Sequence, residues 1–171
     1  VSKTATVVLA LLMVSIFPAV AKAQIIQSGN VYLGVAYAES DDVIPPRLAM
    51  RGFVGSVEVK PFIRFPHLGF VLDGAGVFTS GVQQYNLVIG PRLSKNYGKW
   101  RIFAQATAGY QQATTGGETF HPLIEDGGAG IDRRLPFKRF AWRLQGDYIH
   151  SHMLEASQND FRLSTGLVWR F

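Results

Sequence analysis

Two groups of residues in this chain bring reactive or charged side chains close enough to cooperate. The first is His150-Ser151-His152 with Glu155. Two imidazoles, a hydroxyl and a carboxylate are the ingredients of a metal site or of a Ser, His and acid triad. The second is a set of charges that fall on one parity of their local segments: Glu58, Asp73, Arg92, Arg101, Asp132, Arg143, Asp147, Arg162 and Arg170. Charges of both signs on one face could form an ion-pair network or line a polar path. Which of these chemistries is available depends on the elements that hold the side chains.

Those elements read as β-strands. From Phe161 to Phe171 the chain alternates: Phe161, Leu163, Thr165, Leu167, Trp169 and Phe171 fall on one face, Arg162, Ser164, Gly166, Val168 and Arg170 on the other. A period of two is that of a strand. Eleven residues at roughly 3.3 Å each reach about 36 Å. A strand tilted about 45° needs only about 9 to 11 residues to cross the hydrocarbon of a membrane. Counting back through clusters of Gly, Pro, Asn, Asp and Ser gives eight such segments: Gly29 to Tyr37, Arg51 to Val59, Leu68 to Phe78, Gln84 to Ser94, Trp100 to Tyr110, Leu123 to Arg134, Arg139 to Ile149 and Asp160 to Phe171. Their apolar face is continuous. Segments three and six are poorer, with Gly74, Gly76, Gly127, Gly128 and Gly130 where packing residues are expected, which would permit sharp curvature. The expected fold is all-β, an eight-stranded antiparallel up-and-down transmembrane β-barrel.

The amino terminus reads as an export signal. Lys3, an apolar run and Ala21-Lys22-Ala23 form a basic region, a hydrophobic region and a small-residue cleavage site. Residues 1–23 are therefore expected to be removed, and 24–171 to form the barrel; a membrane anchor is the alternative. The formal charge of +5 falls to +3 without Lys3 and Lys22, too weak and scattered to argue for nucleic acid. With no cysteine, a disulfide framework is excluded, and the fold must hold by its ladder and packing.

The ends of the segments carry the aromatic residues. With alternate strands running up and down, one rim collects Trp100, Phe140, Trp169 and Phe171, and the other Tyr37, Phe53, Tyr85, Tyr110, Tyr148 and Phe161. Two aromatic belts around an aliphatic band suit a barrel facing lipid, because such rings settle at membrane interfaces. The connections after segments two, four and six are short and basic, while those after one, five and seven are longer and acidic. That asymmetry places both termini on the periplasmic side.

In this frame the lumen of an eight-stranded barrel is only wide enough for side chains to fill it. The inward charges should therefore pair, with Asp147 opposite Arg162 as the most specific expectation. A closed ionic plug is favoured over a gated polar path. His150 and His152 share one face and Ser151 takes the other, which suits a weak metal site and spoils a nucleophile–base pair. The simpler reading is solvated residues where segment seven enters an outer loop. No catalytic residue, metal or cofactor is expected. The Gly-rich runs at 73–76 and 127–130 precede no helix and are not phosphate loops.

The runs Ile89-Gly90-Pro91-Arg92-Leu93-Ser94, Arg101-Ile102-Phe103-Ala104, Gly128-Ala129-Gly130-Ile131-Asp132, Arg143-Leu144-Gln145-Gly146-Asp147-Tyr148 and Asn159-Asp160-Phe161-Arg162-Leu163-Ser164-Thr165-Gly166-Leu167-Val168 together resemble the outer-membrane β-barrel domain family. They are similar to the membrane domain of outer membrane protein A and to small porin-like barrels. The resemblance covers 24–171. It implies eight antiparallel strands in the outer membrane of a Gram-negative cell envelope, and assembly machinery that reads the terminal aromatic strand through Trp169 and Phe171. It implies no common enzymatic activity. The expected partners are outer-membrane lipid, lipopolysaccharide, that machinery and an extracellular ligand held by the outer loops, 38–50, 111–121 and 150–159. A lipid-acting enzyme of lipid A deacylase type, a small low-conductance pore and a soluble barrel of lipocalin type are the alternatives.

Overall fold

Period-two alternation runs through the strands of the computed structural model, which describes residues 28–40, 48–152 and 157–171. The strands are β1 (Ser28–Ser40), β2 (Leu48–Lys60), β3 (Leu68–Thr79), β4 (Val82–Tyr97), β5 (Trp100–Thr115), β6 (Glu118–Phe120), β7 (Leu123–Arg134), β8 (Phe140–His152) and β9 (Ser157–Arg170). Each pairs antiparallel with its neighbours, β5 pairs with both β6 and β7, and β1 closes on β9 from Asn30↔Arg170 to Ser40↔Asp160. The result is a closed up-and-down barrel of eight staves, with β6 and β7 sharing one. Closure leaves the barrel wall no edge strand to template aggregation, and among the described strands only the three-residue β6 has an unpaired side.

The termini of β1 and β9 meet at one end, together with the turns at 61–67, 98–99 and 135–139; this is the terminal end. Phe171 lies past β9, yet it still exchanges two backbone bonds with Gly29, both 3.1 Å. The opposite, hairpin end carries the turns Ser80-Gly81 and Gly116-Gly117.

The expected outer loops need correction. Residues 38–40 and 48–50 belong to β1 and β2, and His150 to His152 to β8. Residues 111–121 are mostly a hairpin, in which Ala113, Thr114 and Thr115 pair with Phe120, Thr119 and Glu118. Gly116 and Gly117 turn it with φ of 60° and 90°, the left-handed pair that a two-residue hairpin turn demands. The sequence of this hairpin resembles a loop because its strands lack an apolar face. A strand that rises beyond the aromatic belt needs none. The expected leader, residues 41–47 and Glu155 lie outside the described residues.

The register also explains the glycines of β7. Gly130 faces the lumen beside the inward ring of Phe103, and a Cβ there would lie 2.8 Å from that ring's Cε1 and 2.7 Å from the Leu144 carbonyl. Space for a neighbouring ring, as well as curvature, therefore favours glycine at this position. Inside, Tyr32, Ala36, Ala38, Met50, Val54, Ala75 and Val77 form one apolar cluster with Ala141 and Val168, and Val88, Ile124 and Ile149 form a second.

Candidate functional site in the barrel lumen

Inward parity brings the predicted charges into one interior, where they separate into two clusters along the axis. Toward the terminal end, Glu58 takes ion pairs from Arg92 at 3.2 Å and from Arg101, and its other neighbour Asn30 donates at 2.9 Å. Asp132 is gripped by Arg143 through two bonds, 2.7 and 3.2 Å, with Arg170 at 3.4 Å and Arg101 at 3.7 Å. A two-point guanidinium–carboxylate contact fixes orientation as well as charge. The ladder explains the grouping, since Asp132 is opposite Arg101 on β5 and Arg143 on β8.

Toward the hairpin end a single cation serves three carboxylates. Arg162 donates to Asp147 at 3.0 Å, reaches Asp73 at 2.9 Å and lies 3.5 Å from Asp126. Asp147 on β8 is the direct partner of Arg162 across the β8–β9 ladder, as the spacing of segments seven and eight predicts. Gln145 supports Asp147 with bonds of 2.9 and 3.1 Å. Gln105 joins the clusters: its carbonyl accepts from Arg92 at 3.0 Å and its amide reaches Asp147 at 3.4 Å.

The charges balance over the whole set but not locally. The terminal-end cluster holds four arginines and two carboxylates, the hairpin-end cluster one arginine and three. Aromatic faces help hold the excess cations. Phe103 lies between Arg92 at 4.4 Å and Arg143 at 4.5 Å, and Tyr32 faces Arg143 at 4.8 Å. A guanidinium over an aromatic face gains from the ring quadrupole most when desolvated.

All nine predicted lumen charges thus enter these contacts. Asp126 was overlooked, although it shares the parity of Asp132 in the same segment and could have been read from it. Phe103 and Tyr32 could have been read the same way, since Phe103 shares the parity of Arg101 and Tyr32 has the parity opposite to that of Tyr37; that their rings would face guanidinium groups could not. The belt residues Tyr37, Phe53, Tyr85, Trp100, Tyr110, Phe140, Tyr148, Phe161, Trp169 and Phe171 all lie on the outer side and are exposed or half-buried. Trp169 and Phe171 pack at 5.4 Å between ring centroids, and Phe70 adds an outward ring packed against Phe62 at 6.2 Å.

His150 and His152 stand on the outer face of β8 with rings 4.6 Å apart, and Ser151 points inward, where it donates to the Gln158 carbonyl at 3.4 Å. His150 bonds to Asn159 at 2.7 Å, and His152 lies 3.9 Å from Glu125. The hydroxyl and the imidazoles therefore face opposite sides of the wall. Among the described residues, no group of three His, Asp or Glu side chains is placed to hold a metal.

No family model matches the chain, and no curated protein matches it in sequence. Solved structures do. Neisserial surface protein A aligns with a TM-score of 0.64 at 13% identity, covering 84% of this chain and 97% of that one. The amino-terminal β-barrel domain of Pseudomonas aeruginosa OprF aligns at 0.56 and 12%, covering 83% and 97%. Ail, the attachment invasion locus protein of Yersinia pestis, aligns at 0.53 and 16%, covering 84% and 98%. At these identities the likeness is one of architecture, and the chain has the fold of the eight-stranded outer-membrane β-barrels.

Proposed function

We propose that this chain is an integral outer-membrane β-barrel without enzymatic activity, with periplasmic termini, a lumen plugged by ion pairs and a structural or surface-interaction role through its hairpin end. One observation carries the reading: apolar and charged residues are inverted relative to a soluble barrel. Leu33, Val35 and Ile89 are 67%, 64% and 61% exposed, while Arg92 and Arg143 are at 0%. Apolar side chains turned outward between two aromatic belts suit hydrocarbon, and a soluble lipocalin-type barrel would reverse the arrangement. Lipid and lipopolysaccharide are then its surroundings, and the assembly machinery its route there.

The wall separates Ser151 from His150 and His152, which favours a surface role over lipid hydrolysis. Ail has been crystallised with the heparin analogue sucrose octasulfate. The hairpin-end rim of this chain exposes Glu118 and Glu125 together with Arg51, a mixed surface that gives no preference for a polyanion.

A small pore is the second reading. It draws on buried lumen atoms that have no hydrogen-bond partner, among them Asp73 Oδ2, Gln145 Oε1 and Ser164 Oγ, which water in a narrow path would satisfy. Electrophoresis of the detergent-folded protein before and after boiling tests the membrane reading: a heat-shifted band is expected, and an unshifted band with detergent-free solubility overturns it. Single-channel recording in planar bilayers separates plug from pore. A silent barrel is expected.

A further inference from the structure

Most of the exposed cations among the described residues gather at one end of the barrel. Outside the lumen, the terminal end exposes Arg64, Lys95 and Lys99 near β4, and Arg133, Arg134, Lys138 and Arg139 near the β7–β8 turn. Among the described residues, no exposed Asp or Glu side chain lies at that end, and none of these cations forms a side-chain ion pair. The hairpin end carries both signs, with Glu118, Glu125 and Arg51 exposed.

Two of the cations sit on the lipid-facing parity of their strands. Lys95 lies over the ring of Tyr97 at 5.2 Å, and Arg133 over that of Trp100 at 5.3 Å, its direct partner across the β5–β7 ladder. They therefore occupy the depth of the aromatic belt, where lipid headgroups begin. Lys99, Lys138 and Arg139 extend the same charge into the adjoining turns. Long cationic side chains at this depth lay their stems on the apolar wall and carry their charge to the interface.

We propose that this terminal-end collar binds the anionic headgroups of phospholipids in the leaflet that surrounds it. The proposal rests on the membrane-spanning reading above and adds to it which end prefers which lipid. Charge complementarity supplies the argument. Cations held at a negatively charged membrane surface each favour it by a factor of about five, and seven cations with no Asp or Glu side chain beside them make the preference one-sided. A leaflet of zwitterionic lipid alone would leave them without partners.

The test folds the protein into vesicles of phosphatidylcholine and into equimolar phosphatidylcholine and phosphatidylglycerol at physiological salt, then measures lipid retained on the extracted barrel by native mass spectrometry. Phosphatidylglycerol should be enriched about fivefold or more. The variant R64Q/K95Q/K99Q/R133Q/R134Q/K138Q/R139Q should show the same heat-shifted band in phosphatidylcholine and retain both lipids equally, while the charge-keeping set R64K/K95R/K99R/R133K/R134K/K138R/R139K should keep the enrichment. Equal retention by the wild-type barrel overturns the proposal and leaves the membrane reading intact. So does enrichment that survives neutralisation, or retention of a soluble sulfated polysaccharide without lipid enrichment. A wild-type barrel that gives no heat-shifted band in either vesicle overturns the membrane reading itself.

Discussion

Arg162 on β9 and Asp73 on β3 meet at 2.9 Å across the lumen, between strands that share no ladder and are 89 positions apart. β1 and β2 lie between them in the wall. The contact therefore spans the barrel like a strut, and it forms only when β9 has closed on β1. Since Arg162 is also, among the described residues, the one cation paired with Asp126 and Asp147, it carries the charge balance of the hairpin-end cluster.

Replacing Arg162 by methionine should accordingly be among the most damaging single changes in the lumen. Three carboxylates would be left facing one another, and breaking a buried pair costs about 3 to 5 kcal/mol. Asp73→Asn should cost less, because the guanidinium keeps Asp126 and Asp147 and local repulsion falls. Urea titration in detergent micelles, followed by the loss of the folded electrophoretic band, should rank R162M well below D73N and D73N just below wild type.

Gly130→Val should destabilise although it adds apolar volume. Its branches would meet the Phe103 ring and the Leu144 carbonyl, and overpacking of this kind costs roughly 1 to 3 kcal/mol. The double variant Gly130→Val with Phe103→Leu should recover part of the loss, measured as the same unfolding midpoint.

Phe171→Ala should separate assembly from stability. The two backbone bonds to Gly29 remain, so refolding into detergent should stay close to wild type. Only the ring packed on Trp169 is lost. If that aromatic end is what the assembly machinery reads, the variant should accumulate in the outer membrane at a clearly lower level in cells, measured by immunoblot of fractionated envelopes.

His150→Ala with Ser151→Ala should leave lipid A composition unchanged by mass spectrometry of extracted lipid. Ser151 faces inward toward the Gln158 carbonyl and His150 outward toward Asn159, so neither can activate the other. An altered acyl pattern would reinstate the enzyme reading.

Much of this architecture was legible in the chain because strand periodicity is local. Phe161 to Phe171 declares its two faces without reference to any other strand, and the same holds for Phe140 to Tyr148. The pairing of Asp147 with Arg162 was accessible too, since adjacent antiparallel strands set their register through one connection. The β5–β6 hairpin was hidden because Gln111, Gln112, Thr114 and Thr115 lie beyond the apolar band and carry no alternation of hydrophobicity.

By itself, then, the sequence determined the number of barrel staves, their parity and the residues available to the lumen, because a period of two needs only near neighbours. The tertiary structure decided which charges meet. The strut from Asp73 to Arg162, the link through Gln105 and the separation into a cation-rich and a carboxylate-rich half all depend on the register with which β1 closes on β9. That register is a property of the closed ring, in which each strand's offset is constrained by all the others, and no single segment contains it.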